Sequence, residues 1–267
     1  MSASTDRFHQ LHQSGCFVLP NPWDVGSARI LEQLGFQALA TTSSGFAWTL
    51  GRRDNRVSLD EALAHLRSMT RAAGVPVNAD FEGGFAVDPQ GVAANVTAAV
   101  ATGIAGISIE DSTGDAANPL FAFDLSVARV RAARAAIDKS GTGVLLTGRS
   151  EGFITGRPDL GETLRRLTAY AEAGADCLYA PGLRNLSEIK AVVEGVAPRP
   201  VNVLASSDFT TVAELAATGV RRISVGSALA RAAWTGFLAA ATEIAEKGTF
   251  SALSRAIPGS RMNAYFD

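Results

Sequence analysis

The sequence is poor in several things that would each point to a particular class of protein. Its two cysteines, Cys16 and Cys177, lie far apart, each in an apolar run, and read as the reduced, buried thiols that a cytosolic protein keeps. Its three histidines do not fall at metal-ligand spacing, which argues against zinc. His9 and His12 share a helical face ahead of the first strand and His65 sits within a helical stretch, so all three are expected on the surface or in packing. No apolar run approaches the ~20 residues that span a bilayer, and the opening MSASTDRFHQLHQSG lacks an apolar stretch of the signal-peptide kind. Charge of one sign is lacking too. A formal net charge of -2 offers neither nucleic acid nor an acidic membrane the basic surface each requires. What these absences leave is a globular, cytoplasmic protein whose main partner is neither.

What the chain does have is apolar mass and a repeat. With 47% of residues apolar and 19% charged, it can bury a core. An amphipathic stretch closing on glycine and followed by a short apolar run recurs as LEQLG-FQALATT, MTRAAG-VPVNAD, AVATG-IAGISIED, YAEAGAD-CLYAPG and LAATG-VRRISVG. Glycine just past a helix tolerates the left-handed backbone that ends it, so each instance reads as a helix stop and then a strand. The runs are short and nearly uninterrupted, as parallel strands covered by helices are.

Eight strands are expected: Phe17–Leu19, Ala38–Thr41, Val75–Ala79, Ile104–Ile109, Val144–Thr147, Cys177–Tyr179, Val201–Leu204 and Arg222–Val225. Ser58-x-x-Glu61 is a capping box that opens one of the intervening helices. Eight alternating βα units over about 250 residues predict an α/β protein, a (β/α)8 TIM barrel. An open doubly wound sheet is the alternative, but no glycine-rich phosphate turn follows the first strand. With no linker or low-complexity segment to divide it, residues 1–267 read as one domain. Ala228–Lys247 reads as a last helix ended by Gly248. Residues 248–267 are then a tail that lies across its own barrel or packs on a neighbouring subunit.

Barrel enzymes carry their sites at the C-terminal ends of the strands. That rule predicts Asp54, Asp80, Glu82, Glu110 and Asp111 at one mouth, with Arg149 as its cation and Asn202 beside them. Like charges so close raise each other's pKa unless compensated. A hard divalent cation is the usual compensation, Mg²⁺ being held by one or two carboxylates, waters and substrate oxygens. Arg149 has the planar fork that grips a carboxylate in two places, or it pairs with Glu151 or Glu110. Gly226-Ser227 offers backbone N–H groups to a phosphate, or is a plain tight connection.

Five stretches together resemble the isocitrate lyase / phosphoenolpyruvate mutase superfamily: Asn21-Pro22-Trp23-Asp24, Thr41-Thr42-Ser43-Ser44-Gly45-Phe46, Asp80-x-Glu82-x-Gly84-Phe85, Ile109-Glu110-Asp111 and Arg149-x-Glu151. The resemblance runs in order from about Phe8 to Phe250. It implies a Mg²⁺-dependent (β/α)8 barrel, with Mn²⁺ as a substitute, in a homo-oligomer (dimer or tetramer) whose C-terminal helices are exchanged. It implies chemistry beside a 2-oxo acid through enolate-like intermediates. It further implies that Asp80 is a direct metal ligand and that Glu82 and Glu110 hold metal-bound waters. The amides of Ser44, Gly45 and Phe46 would hold the substrate carboxylate, Arg149 would contact substrate oxygens, and Asp54 would lie near the reacting group.

One stretch departs from the pattern. Lyases of this superfamily carry a Lys-(Lys/Arg)-Cys-Gly-His loop after the fourth strand, whereas Ser112–Leu120 here has no Cys, Lys or His. It also lacks the lysine and threonine of the mutase and phosphonopyruvate hydrolase loops. The expected activity is therefore a Mg²⁺-dependent C–C lyase or decarboxylase of a small 2-oxo or 2-hydroxy dicarboxylate, resembling oxaloacetate or methylisocitrate. A P–C bond enzyme and a non-catalytic 2-oxo acid binding protein are the alternatives.

Overall fold

The computed structural model describes residues 2–266. In chain order it runs α1 Ala3–Gln13, β1 Phe17–Leu19, α2 Val25–Gln33, β2 Leu39–Ala40, α3 Ser43–Thr49, α4 Leu59–Ala72 and β3 Val77–Asp80. It continues through α5 Pro89–Val100, β4 Gly106–Glu110, α6 Phe123–Ser140, β5 Leu145–Arg149, α7 Leu160–Glu172, β6 Cys177–Tyr179 and α8 Leu186–Gly195. Last come β7 Val201–Leu204, α9 Val212–Ala217, β8 Arg222–Ser224, α10 Ala228–Lys247, a 3-10 turn at Ser251–Arg255 and α11 Gly259–Asn263.

Local chemistry sets these bounds. Gly35, Gly103, Gly174 and Gly219 all take positive φ at the helix-to-strand turns, where a side chain would be strained. Ser58 and Glu61 form the reciprocal capping box at the start of α4. Gly248, at φ 63°, ends α10.

The eight strands form one parallel sheet in the order β1-β8-β7-β6-β5-β4-β3-β2, and the Ala40 amide bonds the Pro20 carbonyl at 3.0 Å across the remaining seam. The result is a nearly closed (β/α)8 TIM barrel. Its main apolar core lies between strands and helices. There Ile107, Ile109, Leu146 and Leu178 face Val96, Val130, Leu167 and Ile189, each residue of this kind being worth roughly 1.5–3 kcal/mol when fully buried. Phe8 of α1 plugs the floor against Leu145 and Cys177. Cys177 is buried as expected, but Cys16 is only half-buried, against the main core.

β3, β4 and β5 end on Asp80, Glu110 and Arg149, later than the apolar pattern implied. The backbone ladder continues there, Glu110 pairing with Arg149 and Arg149 with Tyr179, while the side chains have turned from core to mouth. β3 also starts late, at Val77, because Pro76 has no N–H to give the ladder. Past Ala230, α10 leaves the barrel, exposing Trp234, Phe237 and Leu238, while Glu243 ties the tail back by accepting the amides of Ser251 and Ala252 at 2.9 and 2.7 Å. Among the described residues no helix is long and apolar enough to cross a membrane.

Candidate active site

Arg149 is the hub of the mouth. Its Nη1 donates to Asp80 Oδ1 at 2.8 Å, its Nε to Glu151 Oε1 at 2.7 Å, and its Nη2 lies 3.2 Å from Glu110 Oε2. The ring of Tyr179 lies 5.2 Å from its Cζ. Asp80 is fixed from its other side, Oδ2 accepting the amide and hydroxyl of Ser43, each at 2.9 Å. These groups line a cavity of about 350 Å³ that is also walled by Ser44, Asp54, Asn202, Leu204 and Ser224.

Negative charge is in excess. Asp54, Asp80, Glu82, Glu110 and Glu151 gather at this end of the barrel, and among the described residues only Arg149 reaches any of them at ion-pair distance. Burial, reinforced by Asp80 and Asp54, pushes the Glu82 carboxyl up to about 8. Burial also raises Glu110 well above the usual carboxylate range, with Arg149 opposing and Glu151 and Asp80 adding to the rise. Asp54 stands on the exposed rim, yet partial desolvation and the Asp80 charge raise it as well. Burial works against the charge of Arg149, but its three carboxylates outweigh that and hold the guanidinium protonated.

The residues singled out from the sequence do not all meet. Asp54, Asp80, Glu110, Ser44, Arg149 and Asn202 share the cavity. Glu82 faces an adjoining cavity instead, from a loop where both it and Phe85 take positive φ (47° and 55°). Arg129 braces that loop, donating to the carbonyls of Gly83, Ala86 and Val87. The five-carboxylate expectation needs one exchange. Asp111 turns behind the barrel wall to Arg166 (3.0 Å) and Tyr170 (2.6 Å), and Glu151 takes its place.

The expected cradle of amides from Ser44 to Phe46 is the first turn of α3. The Gly45 amide caps onto Thr42 Oγ1 at 3.3 Å and the Phe46 amide bonds the Thr42 carbonyl at 3.0 Å, so the Ser44 amide is the one these bonds leave. The Phe46 ring stacks on His65 at 3.9 Å, outside the mouth. At the last connection, the Val225 and Gly226 amides both donate to Asn21 Oδ1 at 2.9 Å, so Gly226 is taken up by the connection itself while Ser227 lines the cavity. His12 and His65 are packed, and His9 Nε2 meets the Gly143 carbonyl at 2.7 Å.

Two members were missed. In the sequence Glu151 stands out only as a partner of Arg149, and Arg222, buried at the cavity floor, only as the start of a strand. Its signal was present: in Arg222-Ile223-Ser224-Val225 the polar residues alternate with apolar ones, which turns Arg222 and Ser224 inward.

The donor set suits a hard cation. Its carboxylates supply oxygen donors only, and crowding raises the proton affinity of Glu82, Glu110 and Asp54, which a bound cation would relieve. That combination fits Mg²⁺ held by a carboxylate or two with waters completing the shell, rather than zinc.

Comparison with known proteins agrees with this architecture. The family model described as phosphoenolpyruvate phosphomutase matches residues 8–245. A solved structure from Burkholderia cenocepacia J2315, provisionally assigned as a lyase/mutase, superposes with a TM-score of 0.95 at 46% identity, covering 98% of this chain and 96% of that one. An uncharacterized Mycobacterium tuberculosis protein is 32% identical over 259 residues, 96% of this chain and 95% of its own. An oxaloacetate decarboxylase of Bradyrhizobium diazoefficiens is 31% identical over 208 residues, 70% of this chain and 69% of its own.

Proposed function

The chain belongs to the phosphoenolpyruvate phosphomutase family, and from that premise we propose that it is a Mg²⁺-dependent carbon–carbon lyase or decarboxylase of a small 2-oxo or 2-hydroxy dicarboxylate. The observation that carries this reading is the Arg149 guanidinium, gripped by Asp80, Glu110 and Glu151 at the mouth of a cavity of about 350 Å³. The likeness to an oxaloacetate decarboxylase favours the substrate class.

In this reading Asp80 would hold Mg²⁺ directly, while Glu110 and, from the adjoining cavity, Glu82 would hold waters bound to it. When bound there, it would supply a Lewis acid for the 2-oxo oxygen. Arg149 and the Ser44 amide orient the substrate carboxylate. Breaking the bond next to the carbon that neighbours the 2-oxo group leaves its electron pair as an enolate. Arg149 and the Ser44 amide are already fixed where that negative charge develops, so little reorganisation is needed. Asp54, on the rim with a raised proton affinity, is placed to return a proton to carbon. Leu204 and Tyr179 wall the cavity and restrict it to small substrates. Ser112–Leu120, pinned at its ends by a Ser112–Leu120 bridge, offers no thiol for a cysteine-type lyase. The apolar face of α10 supports a homo-oligomer, dimer or tetramer, as the working form.

The test is incubation with Mg²⁺ and oxaloacetate, methylisocitrate, isocitrate, dimethylmalate or phosphonopyruvate, followed by proton and phosphorus NMR. EDTA and metal-only controls run alongside, because Mg²⁺ alone slowly decarboxylates oxaloacetate. Metal-dependent pyruvate or succinate above the blank supports the reading. Phosphate from phosphonopyruvate would replace it with P–C chemistry. Ligand-dependent thermal stabilisation without product would leave a binding protein.

A further inference from the structure

Below the charged mouth, the barrel interior is not apolar. Asn78, Ser108, Asn202, Arg222 and Ser224 are all buried and line the lower part of the same cavity. Arg222 is the anomaly among them. It is 2% exposed, and among the described residues no carboxylate lies within ion-pair distance of it. Its partners are neutral: Nε donates to Asn202 Oδ1 at 2.9 Å, Nη2 to Thr147 Oγ1 at 2.9 Å, and Nη1 meets His12 Nε2 at 3.3 Å. The histidine cannot be a counter-charge. Its Nδ1 lies 2.7 Å from the Phe8 carbonyl and must donate there, which leaves Nε2 as the lone-pair acceptor for Arg222.

A guanidinium has five N–H donors, and these three bonds use one on each nitrogen. Burying a charge without its opposite is costly, and native proteins pair such charges. Here the guanidinium keeps two N–H groups beyond these bonds, has no carboxylate partner among the described residues, and lines the cavity.

We propose that Arg222 is an anion subsite at the cavity floor that takes the second carboxylate of the substrate, while the mouth takes the 2-oxo or 2-hydroxy acid end. The inference rests on the substrate class proposed above and assigns the residue that selects a dicarboxylate over a monocarboxylate. Arg222 reaches Thr147, two residues below Arg149 on β5, so the two guanidiniums belong to successive inward-facing levels of one cavity.

Malate and 2-hydroxybutyrate test this, since they differ by a carboxylate in place of a methyl group and neither decarboxylates readily. Calorimetry with Mg²⁺ present is expected to give malate at least tenfold tighter binding to the unmodified protein. In Arg222→Gln that preference should collapse while 2-hydroxybutyrate binding stays the same. Asn202→Asp guards against a variant that fails to fold, because it supplies Arg222 with an internal counter-charge. It should raise the melting temperature and also abolish the preference. Equal binding of the two acids, or a preference that survives both substitutions, would overturn the floor site and leave the mouth reading intact. Absence of binding by either acid would overturn both.

Discussion

Asp111 Oδ1 accepts the Glu151 amide at 2.8 Å, so a carboxylate adjacent in sequence to Glu110 acts as a brace behind the site. Its other oxygen takes the Tyr170 hydroxyl at 2.6 Å and Arg166 Nη1 at 3.0 Å, and Glu151 in turn holds Arg149. The chain of contacts therefore runs from α7, through the backbone of the strand-five loop, to the guanidinium at the mouth.

Loss of that brace has a graded cost. Tyr170→Phe removes one hydrogen bond and should lower stability by about 1–2 kcal/mol. Asp111→Ala leaves Arg166 with Glu162 as its remaining carboxylate partner and takes the acceptor from the Glu151 amide, and should cost about 3 kcal/mol, the low end for breaking a buried pair. Urea unfolding midpoints read both values. Equal losses would mean that the ion pair adds nothing to the hydroxyl bond.

Arg149 is held by three carboxylates in three directions, so its fork geometry matters as much as its charge. Arg149→Lys keeps the charge but cannot reach all three partners. Turnover should drop by roughly 10²–10³, as on removal of a donor that stabilises developing negative charge. Steady-state kinetics on the best substrate of the panel decide it. A lysine variant with full kcat would remove Arg149 from the chemistry.

The barrel was legible because its signals are local and repeated: glycine stops, capping boxes and short apolar runs in fixed alternation. The directions of side chains at strand ends were not. Glu110 and Asp111 are consecutive, and strand pleating sends one into the mouth and the other behind the wall. Nothing in their identities says which goes where. Arg222 differs: the alternation of its strand carries its direction, but composition rules place arginine on surfaces, whereas here it lies inside the barrel.

Two buried histidines make stability depend on acid. Burial, with Arg222 adding, depresses His12 to about 3, and burial depresses His65 to about 4 against a weaker pull from Asp24. Both are neutral in the fold and titrate near 6.5 when unfolded. As pH falls below 6.5 the unfolded chain takes up protons that the folded chain refuses, so stability is lost from there down toward pH 3–4. Each contributes a slope of about 1.4 kcal/mol per pH unit within that window. His12→Gln should flatten the curve between pH 6 and about 4.5 by roughly that amount, measured by urea unfolding at each pH. An unchanged slope would show that His12 is protonated in the fold.

Gly45 separates packing from ligand binding. A Cβ there would meet Thr42 Cγ2 at 2.6 Å and Trp23 Cβ at 2.9 Å, both too close. Gly45→Ala should therefore destabilise the protein by about 1–3 kcal/mol through overpacking. The loss should appear in the melting temperature without ligand, and substrate KM should rise only as α3 shifts.

Asp80 gives the sharpest test of the metal. Its two oxygens are divided between Arg149 and Ser43, so a bound cation would share the carboxylate with both. Asp80→Asn keeps the shape and the Ser43 contacts but removes the charge, so the fold should survive while Mg²⁺-dependent turnover falls to the level of the metal-only blank. EDTA should do the same to the unmodified protein, with recovery on adding Mg²⁺ or Mn²⁺. The two losses must agree, since both remove the same Lewis acid. If EDTA silences the enzyme but Asp80→Asn retains turnover, the ion is held by other carboxylates, and Glu82 and Glu110 become the ligands to substitute next. If EDTA has no effect at all, Arg149 and the Ser44 amide carry the developing charge alone, and the magnesium proposal fails.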